Sequence, residues 1–235
     1  MEPGKFRFME EPQSHWGGVM LIKRVDVDAA QLGDPDAAVW SAAKAAAVSL
    51  VQAPAAMQPT KYIAAKWQDK PYGQVKALAV KALRNAGQIA FRLEWQAKTK
   101  NDRRIENTDF PDAVAMLFPL SEQSPLIMGG DGAPVSLWYW RADHPNRARN
   151  DVASGIGTSQ VLDAEAVAAQ AKHEDGRWTV VMRRVLRSTK PMDGIVEFTG
   201  GQALRATFAV WDGGNLERAG IKAFSPSWLE MNLEA

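Results

Sequence analysis

One methionine stands in an unusual place for its residue type. Met128 lies in "SPLIMGGDGAPVSLWYW", residues 124–140, between a proline and two glycines, and three consecutive aromatic residues follow the loop. A methionine usually fills gaps in a core, and that interpretation stays open. The alternative is chemical, because a thioether is a soft metal ligand and glycine, which lacks a Cβ, lets a flat ligand approach the backbone. The loop therefore allows two interpretations of Met128, a core residue or a ligand at a cofactor site.

The aromatic segment that follows the loop is apolar on both of its faces. In an extended "VSLWYWR", Val135, Leu137 and Tyr139 point one way, whereas Trp138 and Trp140 point the other way. One face must pack in the core, and the other must be covered by a cofactor, a loop or a partner. Burial of both faces in protein is the simpler interpretation.

Other catalytic or metal-binding patterns are missing from the sequence. It has no cysteine, which excludes disulfides, iron–sulfur ligation and covalent c-type haem attachment. His15, His144 and His173 are far apart and fall in predicted loops or at a strand entrance. No GxSxG, HExxH or P-loop motif is present, and "GGDG" at 129–132 is not followed by a predicted helix. Catalysis by this protein alone is therefore not expected.

The composition of the 235 residues limits the kind of domain and the kinds of partner that are expected. With 46% hydrophobic residues the sequence is able to form one large core, and no composition break divides it. Its 28 basic and 27 acidic residues leave a net charge of +1, so no strong field draws it to nucleic acid or anionic lipid. Lys44 and Pro54 interrupt the most apolar window, so we expect no membrane span, and no signal peptide is visible.

The elements that position the Met128 loop are predicted to be mainly β-strands. Alternation of Ile89, Phe91, Leu93 and Trp95 marks the clearest strand. A short helix is expected over 34–47, and long polar loops over 98–112 and 143–159. Six to eight short strands separated by turns predict an all-β fold, an antiparallel β-sandwich in one domain over 1–235. The strands are expected in residues 16–30, 48–52, 87–98, 113–120, 133–142, 176–186, 204–212 and 226–234.

Three segments together resemble one family: "MGGDGAPVSLWYWRA" (128–142), "HEDGRWTVVMRRVL" (173–186) and "FAVWDGGNLERAGIKAFSPSW" (208–228). They are similar to the haem b-binding γ subunits of type II members of the dimethyl sulfoxide reductase family. Ethylbenzene dehydrogenase and steroid C25 dehydrogenase represent the branch of closest likeness. Weaker likeness at 36–43 and 87–96 extends the resemblance over nearly the whole sequence. The fold that it implies is a β-sandwich like that of cytochrome-type haem domains and family 9 carbohydrate-binding modules.

The resemblance also implies a ligand set for one non-covalent haem b. The family holds its iron between a methionine and a lysine, which map onto Met128 and onto Lys222 in "ERAGIKAFS". Lys172 and Lys190 are the rival lysines. Lysine ligates only as a neutral amine, so its pKa of about 10.4 must be overcome by burial and by the iron. Further haem contacts are expected from Gly129, Trp138 and Phe224, and the propionates are expected to pair with Arg92, Arg141 or Arg218.

The function implied by the resemblance is electron transfer, with catalysis left to partner subunits. The expected complex is a heterotrimer, with the molybdenum cofactor in an α subunit, iron–sulfur clusters in a β subunit, and an external electron acceptor. An oxidative reaction is favoured, the hydroxylation of C–H bonds in hydrocarbons or in the side chains of steroids, although the haem would serve either direction. We expect a periplasmic protein exported with a signal-bearing partner; a cytoplasmic one is the alternative. The competing function is a haem-free carbohydrate-binding module in which Trp138 and Trp140 stack on sugar rings.

Overall fold

The computed structural model of the protein describes residues 19–55, 58, 60–162, 167–190 and 192–235. In this part the protein forms fourteen strands, two short α-helices, and 3-10 turns that include Ala38–Ala42 and Gly213–Asn215. The helices are α1 (Ala29–Gly33) and α2 (Lys61–Trp67). The strands are β1 (Met20–Arg24), β2 (Ala46–Ser49), β3 (Val51–Gln52), β4 (Ala77–Arg84), β5 (Gln88–Gln96), β6 (Ala113–Pro119), β7 (Val135–Arg141), β8 (Arg147–Ala153), β9 (Gln160–Val161), β10 (Val167–Glu174), β11 (Arg177–Val185), β12 (Ala203–Trp211), β13 (Ala223–Phe224) and β14 (Leu229–Leu233).

The strands are joined into one continuous hydrogen-bonded path that closes on itself. Its order is β14-β1-β4-β5-β11-β10-β8-β7-β6-β12, and β12 pairs again with β14. Along this path the neighbours are antiparallel, except that β1 runs parallel to both β4 and β14. The predicted mainly antiparallel β-sandwich with short helices is confirmed.

The main core lies inside this closed path, and alternation along the strands supplies it. Ile89, Phe91, Leu93 and Trp95 of β5 are all buried there. Across the core, β6 and β7 contribute Phe118, Trp138 and Trp140, and Phe118 and Trp138 meet Phe91 with ring centroids 5.8 Å away. Large aromatic side chains bury much apolar area. The interior of the sandwich is therefore filled by protein.

Two predicted elements differ from the observed ones. The helix expected over 34–47 is only the 3-10 turn Ala38–Ala42, because Ala46–Ser49 pair with β4 as strand β2; pairing within the sheet overrides the helix propensity of alanine. The loop expected over 143–159 contains strand β8, whose polar composition concealed it. His15 and the first residues of the predicted opening strand lie outside the described residues.

The helices found in the described ranges are all too short or too polar to cross a lipid bilayer.

Candidate functional site

A pocket of about 350 Å³ lies on the outer face of the sheet formed by β8, β7, β6 and β12. Its wall consists of side chains that alternate with the core-facing ones, among them Ala115, Leu137 and Tyr139. Loops that include Met128 and Lys222 cover this wall. A largely apolar concave site of this size, with a few polar groups, is typical of a small-molecule or cofactor site.

Met128 lines the pocket from the loop that precedes β7. Its backbone has a φ of +59°, a left-handed conformation that costs a residue with a Cβ about 1–2 kcal/mol. The loop is held because the carbonyl of Met128 accepts a hydrogen bond from the N–H of Gly155 at 2.8 Å. The half-buried side chain packs against aliphatic residues such as Leu137, and it also borders the open pocket. The thioether therefore stands where it could meet a ligand.

Gly129 has a different role from the expected one. Its φ is +71°, and a Cβ there would lie 2.9 Å from the carbonyl oxygen of Ala153 and 3.0 Å from that of Ala133. The close approach that requires glycine is thus to the protein's own backbone. Gly129 is buried and is not part of the pocket wall. It shapes the loop that carries Met128, and it lies outside the pocket at which a direct cofactor contact was expected.

Lys222 lines the same pocket, although 94 residues separate it from Met128 in sequence. Its amine lies 4.9 Å from the centroid of the Trp211 ring. The side chain is accessible only in part, and the surrounding protein lowers the pKa of the amine from 10.5 to about 8 through desolvation. Within the described ranges no carboxylate forms an ion pair with it. An amine of this kind is readily obtained in its neutral form.

The two rival lysines lie away from the pocket. The amine of Lys172 pairs with Asp36 at 2.9 Å and with Glu174 at 2.7 Å, and these carboxylates raise its pKa. Lys190 is exposed and does not line the pocket. Neither lysine lines the pocket, so Lys222 is the lysine that the geometry brings together with Met128.

Of the two aromatic residues named for cofactor contacts, Phe224 lines the pocket and Trp138 does not. Phe224, in β13, is half-buried and lines the pocket. Trp138 is fully buried in the main core, where its ring meets Phe118 and Phe198 edge-on. The alternation along β7 was interpreted correctly, but Leu137 and Tyr139 form the pocket face and the tryptophans form the core face. Trp138, for which a cofactor contact was expected, is therefore a core residue and lies outside the pocket wall.

The tryptophan platform of the carbohydrate-binding alternative fails for the same reason. Trp140 is also fully buried, and its Nε1 donates a hydrogen bond to the carbonyl of Pro145 at 3.1 Å. A ring that stacks on a sugar must have an accessible face. Neither Trp138 nor Trp140 offers one, so this second function loses the residues on which it depended.

The arginines named for the propionates do not line the pocket, whereas Arg149 does. Arg92 pairs with Glu94, Arg141 forms a bidentate pair with Asp143, and Arg218 lies over the ring of Phe110. Sequence reasoning missed Arg149 because it treated β8 as a loop. The spacing of Arg149 and Asp151, two residues apart, was the available signal, since it places both on the pocket face of a strand.

Arg149 and Asp151 form a charged corner of the pocket. The guanidinium lies 2.8 Å from a carboxylate oxygen of Asp151 and 4.8 Å from the centroid of the Tyr139 ring. Burial raises the pKa of Asp151, although Arg149 and a hydrogen bond from Ser159 oppose that rise. Burial also raises the pKa of the Tyr139 phenol. The guanidinium of this corner is placed to pair with an anionic part of a ligand.

No site for a metal held by hard ligands is found in the part of the protein that the structure describes. There, no three His, Asp or Glu side chains converge. His173 contacts the carbonyl of Ala97 and the ring of Trp178, and His144 lies beside Asp143 at the surface. Among the described residues that line the pocket, those with side chains suited to a soft metal are Met128, through its sulfur, and Lys222, through a neutral amine.

Comparison with known proteins places this protein in a family. The profile of the ethylbenzene dehydrogenase family matches residues 37–161 and 145–223, which include Met128 and Lys222. The chain belongs to this family. Among its relatives are γ subunits of type II members of the dimethyl sulfoxide reductase family, so the resemblance found in the sequence is confirmed.

Three relatives show how much of the sequence is shared. The γ subunit of chlorate reductase from Ideonella dechloratans is 30% identical over 213 residues, which are 90% of this chain and 84% of that protein. The γ subunit of dimethylsulfide dehydrogenase from Rhodovulum sulfidophilum is 29% identical, over 83% of this chain and 73% of that protein. A protein from Haloferax mediterranei, named as a respiratory nitrate reductase haem subunit, is 30% identical over 81% of this chain. The match spans 65% of that longer relative.

A solved structure with a related outline is a family 9 carbohydrate-binding module from Caldicellulosiruptor kristjanssonii in complex with cellotriose. It has a TM-score of 0.49 and 12% sequence identity, over 93% of this protein and 94% of that module. No ligand preference of the present protein follows from that likeness.

Proposed function

We propose that the pocket binds one haem b and that Met128 and Lys222 are its axial ligands. The observation that carries the proposal is the meeting of these two side chains at one apolar pocket, despite a sequence separation of 94 positions. The name of one relative, a haem subunit of a reductase, supports a haem cofactor in general. Leu137, Tyr139 and Trp211 supply the apolar and aromatic wall that a macrocycle requires.

The residues of the pocket fit this group chemically. Burial already lowers the pKa of the Lys222 amine to about 8, so releasing its proton costs less than it would at a surface lysine. The Met128 thioether is a soft ligand of the kind that raises the reduction potential of haem iron. Met128 and Lys222 would both hold the iron, so the haem would serve as an electron carrier and not as a substrate site. Haem held in this way supplies reversible one-electron transfer.

The protein would then act as the electron-transfer subunit of a larger complex. We place it beside a molybdenum-containing α subunit and an iron–sulfur β subunit, between the β subunit and an external acceptor. The relatives named as γ subunits of chlorate reductase and dimethylsulfide dehydrogenase support a subunit role. Hydroxylation of C–H bonds in hydrocarbons or in the side chains of steroids is the reaction that we propose for the complex. We further propose a periplasmic location, reached together with a signal-bearing partner.

The complex is tested by purification of the protein at native expression level from its own cells. We expect two further subunits to co-purify with the protein, together with molybdenum and with more than one iron atom per γ subunit. A protein recovered alone, or with partners that lack molybdenum, would contradict the proposed assembly but would leave the haem site open to its own test.

The ligand assignment is tested by visible and near-infrared spectra of the haem-loaded protein. Dithionite reduction should give sharp α and β bands, as expected of six-coordinate iron. Met128→Ala should lower the midpoint potential or leave five-coordinate haem, and Lys222→Ala should change the near-infrared charge-transfer band. Met192→Ala and Lys172→Ala, which alter residues away from the pocket, are the matched controls. A parent-like spectrum in both ligand variants would refute the pair, and a parent protein that takes up no haem would refute the function.

A further inference from the structure

Glu217 is a buried carboxylate in the loop that leads to Lys222. It is only 2% exposed, and its two oxygens accept three hydrogen bonds from nitrogen donors. The backbone N–H of Gly73 donates to Oε1 at 2.7 Å, the Asn215 amide donates to the same oxygen at 3.0 Å, and the N–H of Asp212 donates to Oε2 at 3.0 Å. Buried carboxylates are costly unless satisfied in this way.

These hydrogen bonds tie the loop to a distant turn of the protein. Gly73 follows Tyr72, and it is 144 residues from Glu217 in sequence. The amide of Asn215, already bonded to Glu217, also donates to the carbonyl of Pro71 at 3.0 Å. Glu217 thus fastens both ends of the 212–217 turn to residues 71–73. Without a carboxylate at this position, the buried N–H of Gly73 and the partly buried N–H of Asp212 would lose their acceptor.

The turn at Gly73 also supports the backbone of Lys222. A Cβ on Gly73 would lie 2.8 Å from the carbonyl oxygen of Lys222, so the two backbones are in direct contact. That carbonyl accepts a hydrogen bond from the N–H of Ala53 at 3.0 Å, and the hydroxyl of Tyr72 donates to the carbonyl of Ala53 at 2.5 Å. A shift of the turn would therefore be transmitted to the backbone from which the lysine side chain extends.

We propose that Glu217 is a positioning residue, which sets where the Lys222 amine stands in the pocket. The inference rests on the proposed function, because it assigns a role toward the same haem iron. Three N–H groups converge on two oxygens, and only a carboxylate offers acceptors at both positions. A glutamine would turn an NH2 group toward one of these donors, and the turn would have to move to relieve that contact.

The experiment compares Glu217→Gln with the parent in the haem-loaded, full-length protein. Supporting groups behind a metal ligand typically change metal affinity by about 10–100-fold, so the ratio of amine-bound to amine-free iron should fall about tenfold or more. The readouts are the near-infrared charge-transfer band and the midpoint potential. Glu230→Gln, on the exposed face of β14, is the matched control and should match the parent. A Glu217→Gln protein with the parent's band and potential overturns the inference.

A double substitution separates positioning from a general loss of structure. If Glu217 acts through Lys222, adding Glu217→Gln to Lys222→Ala should leave the spectrum and the potential where Lys222→Ala alone puts them. If Glu217→Gln changes the spectrum or the potential of the Lys222→Ala protein as much as it changes those of the parent, Glu217 does not act through the lysine. Should Glu217→Gln fail to fold, Asn215→Ala removes one of the three donors and gives a milder displacement. A folded Asn215→Ala protein with the parent's spectrum would overturn the inference as well.

These outcomes are distinct from a failure of the haem proposal. If the parent binds no haem, or if Lys222→Ala leaves its spectrum unchanged, the proposed function fails before Glu217 is tested. If both of those tests succeed and Glu217→Gln is parent-like, only the positioning role is lost.

Discussion

The desolvated amine of Lys222 lowers the stability of the haem-free protein. Desolvation lowers its pKa to about 8, which means that the charged form is disfavoured where the lysine stands. In the unfolded protein the same amine has an ordinary pKa near 10.5. Between these two values the unfolded state binds more protons than the folded state, so stability rises with pH in that window. Well below pH 8 the amine is charged in both states, and the full loss of stability is present.

Lys222→Met should therefore stabilise the haem-free protein at pH 7. The shift from 10.5 to about 8 is about 2.5 pKa units at about 1.4 kcal/mol each. Since the side chain is partly exposed and solvent screens some of this cost, we expect a gain of about 2–3 kcal/mol in the free energy of unfolding. The gain should shrink toward zero by pH 10.5, where the parent's amine is neutral in the folded state. Urea unfolding of both proteins at pH 7 and pH 10 measures this, with exposed Lys23→Met as the control. An equal difference at both pH values would mean that packing, rather than charge, is responsible.

Among individual residues, Met128 and Lys222 could be identified as candidate iron ligands only through the resemblance to a known family. Residue types alone left Met128 open to an ordinary core role, and they gave no reason to choose among the lysines. Alternation along β7 separated Trp138 from Leu137 correctly. Since both faces are apolar, the choice of the core face depends on Phe91 and Phe198, which come from distant segments. That information is not local to β7.

Among the elements, the loop before β7 gives Met128 its unusual backbone. It contains two glycines with positive φ, Gly129 at +71° and Gly132 at +67°. They differ in their surroundings, because a Cβ on Gly129 would meet two carbonyl oxygens, at 2.9 and 3.0 Å, whereas a Cβ on Gly132 would meet open space. A residue with a Cβ would therefore be strained by the positive φ at both positions. Only at Gly129 would the Cβ also collide with the backbone.

Gly129→Ala should be clearly more destabilising than Gly132→Ala. The left-handed backbone alone costs about 1–2 kcal/mol for alanine, which is our expectation for Gly132→Ala. At Gly129 the collision should add about 1–3 kcal/mol, as overpacking does in cores, and it should displace Met128. Urea unfolding gives the energies, and the midpoint potential of the haem-loaded protein reports on the thioether. Similar losses of stability in the two variants would contradict this account of the loop.

The strands that were not predicted include β4 and β10 as well as β8 and β2, and a polar composition or a distant pairing concealed the last two. Strand β8 reads as a loop because Asn150 and Asp151 are buried polar residues, which break the expected alternation. Strand β2 reads as the end of a helix because its alanines favour helices, and only pairing with β4 makes them extended. By contrast, β5 alternates over most of its length and was predicted correctly.

For the whole molecule, closure of the sheet depends on its last strand. β14 pairs in parallel with β1 and antiparallel with β12, so it joins β1 to the sheet that carries the pocket. Leu229, Met231 and Leu233 point into the core, and Glu230 and Asn232 point outward. The backbone carbonyl of Glu234, just after β14, also accepts hydrogen bonds from a guanidinium, that of Arg84 in β4. Removal of this strand would therefore open two edges at once.

Truncation after Trp228 should abolish the cooperative fold. Burial of each of the three apolar side chains contributes about 1.5–3 kcal/mol, which together is comparable to the roughly 5–15 kcal/mol that stabilise a whole domain. The uncovered edges of β1 and β12 should also promote association. Size-exclusion chromatography and thermal unfolding measure both effects, and Glu230→Ala, on the exposed face of the same strand, should stay within about 0.5 kcal/mol of the parent. A truncated protein that remains monomeric with the parent's Tm would mean that β12 and β1 are held in place without β14, and the pocket sheet would then be stable without closure.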